Sequence, residues 1–231
     1  TITSDHYKVL VANEGQFQGG SGTISRINLS SGSAQHELFE SANGFPLGNI
    51  VQSTHLSDGF LYTMVNNAQK IEVAEYPGFT STATISGLSQ PRYMVTHDGN
   101  GYVSDWGIGG VQVIDLASNS IANTIITGSG PENLLIQSDR LFVANSGGFG
   151  TDNRVTVIDI NSNTVIEQIE VADNPHALEM DSQGNLRVLC RGISDWQEPE
   201  NDTPGALVTI DVESLTVTET LTFGSSDQHP S

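Results

Sequence analysis

The histidines are the first residues to consider for catalysis or for binding a transition metal. The sequence has no His-x-x-x-His or Cys-x-x-Cys spacing, so a transition-metal site has little support. The strand pattern described below puts His176 and His229 on one face and His55 and His97 on the opposite face, so His176 with His229 is the pair to test. No Gly-x-Ser-x-Gly motif marks a nucleophile at a strand-to-helix turn. We therefore expect a protein that is not an enzyme, although the fold predicted below also occurs in enzymes.

Acidic loop residues are the second group to consider, because they could bind a metal ion: carboxylate and amide oxygens are the ligands that Ca²⁺ prefers. The candidates are Asp195, Glu198, Glu200 and Asp202, together with Asp152 and Asn153. Their spacing does not match an EF-hand, and most acidic clusters are solvated surface. Calcium is thus the one cofactor that the sequence leaves open, and otherwise none is expected.

Aromatic side chains in loops are the third group. Phe17, Trp106, Phe149 and Trp196 each fall at or near the tip of a connection between predicted strands, where they could stack on a flat ligand or anchor a protein partner. The alternative is that one or two of them pack locally at a sheet edge. Polar side chains next to these loops could orient a ligand. These are Asn13, Asn145, Arg92 and Arg191.

Composition limits the class of partner. The 231 residues include 8 Lys and Arg against 27 Asp and Glu, a net charge of −19, which excludes nucleic acid because phosphate binding needs clustered cations. No apolar stretch approaches the roughly 18 residues of a membrane-spanning helix, and no signal peptide is present. The one cysteine, Cys190, follows Val188 and Leu189 and is expected to be a buried thiol. Few lysines with many Thr, Ser, Asn and Gly residues favour an extracytoplasmic location.

An internal repeat determines the predicted fold. Val11–Gly15 resembles Val143–Gly147, and Val111–Leu116 resembles both Val155–Ile160 and Leu207–Val212, in the same order each time. Five prolines mark the same phase, at steps of 45, 40, 44 and 55 residues: Pro46, Pro91, Pro131, Pro175 and Pro230. The long last step contains an insertion from Ile193 to Pro204. A period of about 40 to 45 residues is typical of β-propellers.

The third repeat shows the predicted blade of four antiparallel strands, a to d, with Gly, Asn and Asp in the turns. The strands are Arg92–His97, Tyr102–Trp106, Gly110–Leu116 and Ser120–Thr127. No segment has a helical apolar period, so helix content should be near zero. The first repeat begins at strand b, Tyr7–Asn13, and lacks strand a. We therefore predict an all-β fold, with residues 1–231 forming a single propeller domain of five blades. Either the domain is incomplete at the C-terminus and comes from a seven-bladed parent, which we favour, or a five-bladed ring is completed by another segment.

Loop length separates the two faces of such a propeller. The a-to-b and c-to-d turns are mostly tight, whereas the b-to-c loops are predicted to be long in four blades of five. These loops are Asn13–Gly22, Trp106–Gly110, Ser146–Asn153 and Arg191–Gly205. Long loops on a rigid scaffold are where binding residues concentrate, so this long-loop side is the expected binding surface.

The repeats also carry a family resemblance. Val143–Gly148, Val155–Ile160 and Asn174–Leu178 resemble the YVTN-repeat propellers. A cell-surface branch of these proteins in Bacteroidetes is more similar still, through Asn13–Gly15, Asn66–Val73, Pro91–Tyr93 and Leu189–Gly192. The resemblance implies a seven-bladed outer-membrane lipoprotein, and in one subgroup the capture of cobalamin for a TonB-dependent transporter.

Three functions therefore stay open, ranked in this order. The first is a cell-surface protein that binds a small molecule, with a corrinoid as the implied ligand. The second is a propeller that binds another protein, and the third is a metal-dependent hydrolase. The predicted a strands are poor in carboxylates, which places the hydrolase last.

Overall fold

The computed structural model describes residues 8–195 and 197–230, and most of these residues lie in β-strands. Nineteen strands in this part of the chain form five antiparallel sheets, the first with three strands and the others with four. These sheets are the blades of a β-propeller with five blades. The fold class predicted from the repeat is thus confirmed.

Each blade is made from strands that are consecutive in the sequence. The first blade contains β1 (Lys8–Asn13), β2 (Thr23–Asn28) and β3 (Ala34–Gln35). The second contains β4 (Val51–Ser57), β5 (Phe60–Val65), β6 (Lys70–Glu75) and β7 (Ser81–Ile85). The third contains β8 (Pro91–His97), β9 (Asn100–Asp105), β10 (Gly110–Asp115) and β11 (Ser120–Ile126). The fourth contains β12 (Pro131–Gln137), β13 (Arg140–Asn145), β14 (Arg154–Asp159) and β15 (Thr164–Glu170). The fifth contains β16 (Pro175–Met180), β17 (Asn185–Cys190), β18 (Ala206–Asp211) and β19 (Thr216–Thr222).

The third blade matches the sequence prediction to within two residues at every strand end. Its first turn is Asp98-Gly99, and both residues have positive φ angles, 45° and 75°. Asn and Gly adopt this conformation at low cost, and Asp also tolerates it, which is why such pairs signal two-residue hairpins. The second strand was predicted to end at Trp106, but β9 ends at Asp105, so Trp106 is the first residue of the following loop.

Among the residues that the structure describes, the first blade has three strands, as expected for a blade that begins at strand b, but its last strand has two residues and is followed by a short helix. This helix, α1, spans Leu38–Asn43 and ends at Gly44, whose φ of 74° caps it. Phe39 is 1% exposed and packs with Ile24 and Leu47. A six-residue helix is too short to show a helical period in the sequence. A 3-10 turn at Pro199–Asn201 is the other helical segment in the part of the chain described.

The chain divides into two compact units, which are described separately below. The first unit contains residues 1–93 and 117–120, and the second contains residues 94–116 and 121–231. In neither unit does a described helix have the length and apolar character needed to span a bilayer.

The core of the second unit lies between its blades, because alternate side chains of a strand point to opposite faces of a sheet. On one face of the fourth blade, Leu141, Val143 and Ile158 join a buried cluster with Tyr102, Val111 and Val113 of the third. On its other face, Phe142, Val155 and Val157 join a cluster with Leu178, Val188 and Val208 of the fifth. Val113, Val157 and Val208 are 0–2% exposed. They pack between blades, as the sequence predicts.

Cys190 belongs to the second of these clusters and is fully buried as a free thiol, as expected. Burial raises the pKa of this thiol to about 12, because the apolar surroundings disfavour the thiolate.

Candidate binding surface on the long-loop side

The b-to-c loops differ in length from one blade to the next. Residues 14–22, 146–153 and 191–205 form long loops, whereas 66–69 and 106–109 have four residues each. The prediction of a long loop at Trp106 was therefore wrong. The loop closes as a tight turn in which the Trp106 carbonyl accepts a hydrogen bond from the Gly109 amide at 3.2 Å, with Gly109 at a φ of 61°.

The loop of residues 146–153 is held in place by its neighbour, the connection between β11 and β12. The Ser146 amide donates to the Gly130 carbonyl at 2.8 Å, and the Gly147 amide donates to the Ser129 carbonyl at 2.9 Å. The Ser129 hydroxyl in turn donates to the Gly147 carbonyl at 2.9 Å. This pairing of two loop backbones makes the long loop a fixed part of the surface.

Glycine is required where these two backbones meet. A Cβ atom on Gly130 would lie 2.0 Å from the Gly148 nitrogen, and Gly130 has a φ of 57°. No other residue fits this approach, because the clash is with backbone and not with the end of a side chain.

Two of the four predicted aromatic residues contact each other on this surface. The Trp106 and Phe149 rings have centroids 5.5 Å apart at an interplanar angle of 80°, an edge-to-face contact. Trp106 is partly buried, whereas Phe149 is 90% exposed. The second unit thus presents the Phe149 ring to solvent, and the partly buried indole of Trp106 packs against it.

The other two predicted aromatics are placed differently. Phe17 lies in the loop of residues 14–22 in the first unit and is 69% exposed. That loop is tied down in a similar way, since the Gly22 amide donates to the Gly48 carbonyl at 2.8 Å and the Ser21 hydroxyl donates to the same oxygen at 3.1 Å. Trp196 lies outside the described residues.

Two of the predicted polar residues belong to the first unit. Asn13 donates from Nδ2 to the hydroxyls of Thr23 at 3.0 Å and Ser25 at 2.8 Å, which braces β1 against β2. Arg92 donates from Nη1 to Oε1 of Gln52 at 2.5 Å, which links the first strands of the second and third blades. Both side chains have a structural role that the sequence did not show.

The other two predicted polar residues lie in the second unit. Asn145 is fully buried and donates from Nδ2 to the Arg154 carbonyl at 3.1 Å and to the Thr156 hydroxyl at 2.9 Å. It offers no surface to a ligand and instead fixes the start of β14. Arg191 is exposed, and its carbonyl accepts a hydrogen bond from Nδ1 of His229 at 3.0 Å. Arg191 and His229 line a cavity of about 290 Å³.

An ion pair that sequence reasoning missed lies where the 146–153 loop enters β14. The buried carboxylate of Asp152 accepts hydrogen bonds from Arg154, from Nε at 2.8 Å and from Nη2 at 2.7 Å. The amides of Ser129 and Asn153 donate to it at 2.9 and 2.8 Å. Burial by itself raises the pKa of Asp152, but these hydrogen bonds and the charge of Arg154 outweigh it, so the pKa is lowered.

The sequence did contain a signal for this pair. The chain has 8 cationic Lys and Arg side chains, and Arg154 begins a strand two residues after an aspartate. Residues two apart near a strand end can share a face of the sheet, so the pair could have been proposed. Asp173 is another acidic residue near this loop that was missed, since it precedes Pro175 in a segment without a motif.

Two of the acidic residues proposed for calcium, Asp195 and Asp202, accept hydrogen bonds from backbone amides of their own loop. Asp195 accepts hydrogen bonds from the amides of Gln197 and Glu198, at 2.9 and 3.1 Å, and Asp202 accepts one from the Asp195 amide at 2.6 Å. Asp152 is paired with Arg154. Within residues 8–195 and 197–230, no group of three or more His, Cys, Asp or Glu side chains is placed to hold a metal ion.

Known structures share this fold at low sequence identity. A functionally unknown protein from Desulfotomaculum acetoxidans matches with a TM-score of 0.69 and 14% identity, over 99% of this chain and 70% of that one. The WD40 β-propeller domain of Doa1 matches with a TM-score of 0.67 and 11% identity, over 96% and 67%. Dihydro-heme d1 dehydrogenase NirN in complex with DHE matches with a TM-score of 0.65 and 15% identity, over 89% and 44%. The chain therefore spans less than half the length of NirN.

No curated protein matches the chain. A family model described as "Domain of unknown function (DUF5074)" matches residues 7–226, which is nearly the whole sequence. The chain belongs to the DUF5074 family.

Proposed function

We propose that this protein is an extracytoplasmic binding propeller that takes a flat organic ligand on the long-loop side of its second unit. The ligand class we propose is a corrinoid, captured at the cell surface for a TonB-dependent transporter. The residues quoted above for the resemblance to cell-surface YVTN-repeat propellers support this location and ligand, as does a composition poor in lysine.

The observation that carries the proposal is the placement of Phe149. Its ring is 90% exposed, contacts Trp106 edge to face, and lies on a loop whose backbone is hydrogen-bonded to residues 129 and 130. An exposed aromatic ring on an ordered loop can act as the anchoring residue of a binding surface. Because the loop is already ordered, the protein loses little conformational entropy when a ligand stacks on Phe149.

Charge narrows the ligand class further. The net charge of −19 repels polyanions through the overall field of the protein. A corrin ring offers a broad apolar face, and its edge carries neutral amide groups, so it avoids this repulsion. NirN, a solved neighbour of the same fold, is named for a dihydro-heme, which agrees with a flat macrocycle as ligand; at 15% identity this likeness supports only the fold.

A protein partner is the second candidate, and the outward position of Phe149 favours it. Exposed aromatics that insert into a pocket on another molecule dominate many protein interfaces. The described residues around Phe149 form a surface from which the ring projects, since 90% of it is accessible. A small-molecule ligand would have to cover this ring from outside.

Calorimetric titration with cyanocobalamin and with cobinamide tests the proposal. We expect saturable binding with one site, and we expect Phe149→Ala to weaken it by about 1–3 kcal/mol, the range found for an anchoring aromatic. The control is Phe60→Ala, because Phe60 is 36% exposed and begins β5 at a short turn on the opposite side of its blade. This variant should bind like the unchanged protein. Absence of heat with both corrinoids, on protein shown to be folded, would reject the ligand and put the protein partner first.

A further inference from the structure

A polar cavity lies beside the loop that presents Phe149. It has a volume of about 460 Å³, within the range of small-molecule sites. Its lining comes from three loops and the start of β14: Ser129, Thr151, Asp152, Asn153, Arg154 and Asp173. All of these residues belong to the second unit.

The guanidinium of Arg154 is fixed in this cavity before any ligand arrives. Asp152, whose side chain is 3% exposed, receives two hydrogen bonds from Arg154 and two more from backbone amides. Nη1 of Arg154 donates to Oε1 of Gln168 at 3.0 Å. An arginine held by three hydrogen bonds does not have to be ordered on binding, which favours recognition.

Arg154 still has donors to offer. A guanidinium has five N–H groups, and three of them are used by Asp152 and Gln168. The remaining two, one on Nη1 and one on Nη2, have no partner among residues 8–195 and 197–230. The Arg154 side chain is 35% exposed, so these donors can reach a ligand oxygen.

Asp173, an anionic hydrogen-bond acceptor, lines the same cavity as the cationic donor Arg154. Oδ2 of Asp173 accepts a hydrogen bond from the Thr203 hydroxyl at 2.7 Å, and Oδ1 has no partner in the part of the chain that the structure describes. The segment around Asp173 is tied to the Phe149 loop, since the Val171 amide donates to the Asn153 carbonyl at 2.8 Å and the Asn174 amide donates to the Asp152 carbonyl at 2.7 Å.

We propose that this cavity binds a carboxamide group of the ligand. The amide oxygen accepts from the two remaining N–H groups of Arg154, and an amide N–H donates to Oδ1 of Asp173. A carboxylate would be repelled by Asp173 and by Glu170, the cross-strand neighbour of Arg154 on β15, and an ammonium group has no acceptor for the remaining N–H groups of Arg154. A neutral group with one donor and one acceptor satisfies both residues.

This inference rests on the proposed function, because the edge of a corrin ring carries primary amides, but it is tested without a corrinoid. The probes are benzamide, benzoate and benzylammonium, which share a ring and differ in the polar end. Binding is followed by the NMR shifts of the backbone amides of Ser129, Thr151 and Asn153, which line the cavity. We expect benzamide to bind tightest.

Asp173→Asn is the informative variant. Its side chain still accepts a hydrogen bond from an amide, so benzamide binding should persist, whereas benzoate should gain because a negative charge is removed. The preference for benzamide over benzoate should fall by about tenfold. The control is Asp139→Asn, at the a-to-b turn of the fourth blade, which should leave the preference unchanged.

Two results would overturn the carboxamide site: equal binding of benzoate and benzamide to the unchanged protein, or no benzamide-induced shift at the three amides. A separate titration with cyanocobalamin distinguishes the two proposals. Benzamide binding without corrinoid binding would keep the carboxamide site and reject the ligand of the proposed function. Corrinoid binding without a preference for benzamide would keep the ligand of the proposed function and reject the carboxamide site.

Discussion

The guanidinium of Arg154 spans both carboxylate oxygens of Asp152, with Nε 2.8 Å from Oδ1 and Nη2 2.7 Å from Oδ2. The pair joins the end of the Phe149 loop to the first residue of β14. Because Asp152 also accepts hydrogen bonds from the amides of Ser129 and Asn153, it organises the neighbouring loop as well. One buried carboxylate thus holds together the surface on which both proposals depend.

Asp152→Asn should destabilise the protein at neutral pH by about 1–3 kcal/mol, because charge-assisted hydrogen bonds are lost while an amide takes their place. The pKa of Asp152 is lowered in the folded state. Its contribution is therefore fully present above its unfolded pKa of about 4 and is lost as the pH falls through the folded value. Urea unfolding at several pH values would show the two proteins converging below about pH 4. A difference that stays constant down to the acid limit would contradict this assignment.

Gly130→Ala should disrupt the loop that presents Phe149. The added Cβ would lie 2.0 Å from the Gly148 nitrogen, and the φ of 57° adds strain. We expect a loss of roughly 1–3 kcal/mol in unfolding free energy and weaker binding of any ligand that contacts Phe149. Gly150→Ala is the matched control, because the atom nearest to its Cβ would be the Gly147 carbonyl oxygen at 3.7 Å, an ordinary contact, and its φ is not positive. Equal melting temperatures for the two variants would refute the argument.

Val157→Ala should cost roughly 1–3 kcal/mol, since the fully buried side chain lies between the fourth and fifth blades and its truncation leaves a cavity. Val165→Ala is the control, because Val165 is 38% exposed on β15 of the same blade and should change stability by less than about 0.5 kcal/mol. The change in unfolding free energy of both variants is measured from their denaturant midpoints, provided that the m-value is unchanged. An unchanged midpoint for Val157→Ala would contradict packing between blades.

Cys190 should not react with a thiol reagent in the native protein. With a pKa of about 12, roughly one thiol in 10⁴ is ionised at pH 8, and the side chain is fully buried. Labelling with dithiobis(nitrobenzoate) should be absent in buffer and reach one equivalent per chain in guanidinium. Cys190→Ala supplies the background signal. Fast labelling under native conditions would show that the blade opens locally.

The sequence predicted the strands of the third blade because the information is local. Asp98-Gly99 specifies a turn by the φ angles its residues tolerate, and the mostly apolar run from Val111 to Leu116 specifies a strand. The missing strand a of the first blade also followed from the repeat. The helix α1 did not, because six residues carry too little periodicity and Phe39 is buried by residues distant in the chain.

Where the candidate site residues lie in the structure was predicted only in part, and their role in binding stays a prediction. Phe149 was singled out because it is an aromatic residue in a long predicted loop, and both features can be seen in the sequence alone. Asn145 was assigned to ligand binding from its place beside that loop, but its amide is used by Arg154 and Thr156 inside the blade. Whether a side chain faces solvent or a neighbouring strand depends on the register of pairing, which a spacing in the sequence does not give.

The sequence by itself determined the repeat, the all-β class, and the long loops that carry Phe17 and Phe149. Tertiary structure alone decided that Trp106 supports Phe149 and that Asp173 lines the same cavity as Arg154. The physical reason is that turn and strand preferences act over a few neighbouring residues. These two relationships, in contrast, join residues 43 and 19 positions apart, whose distances are set by the packing of loops and blades.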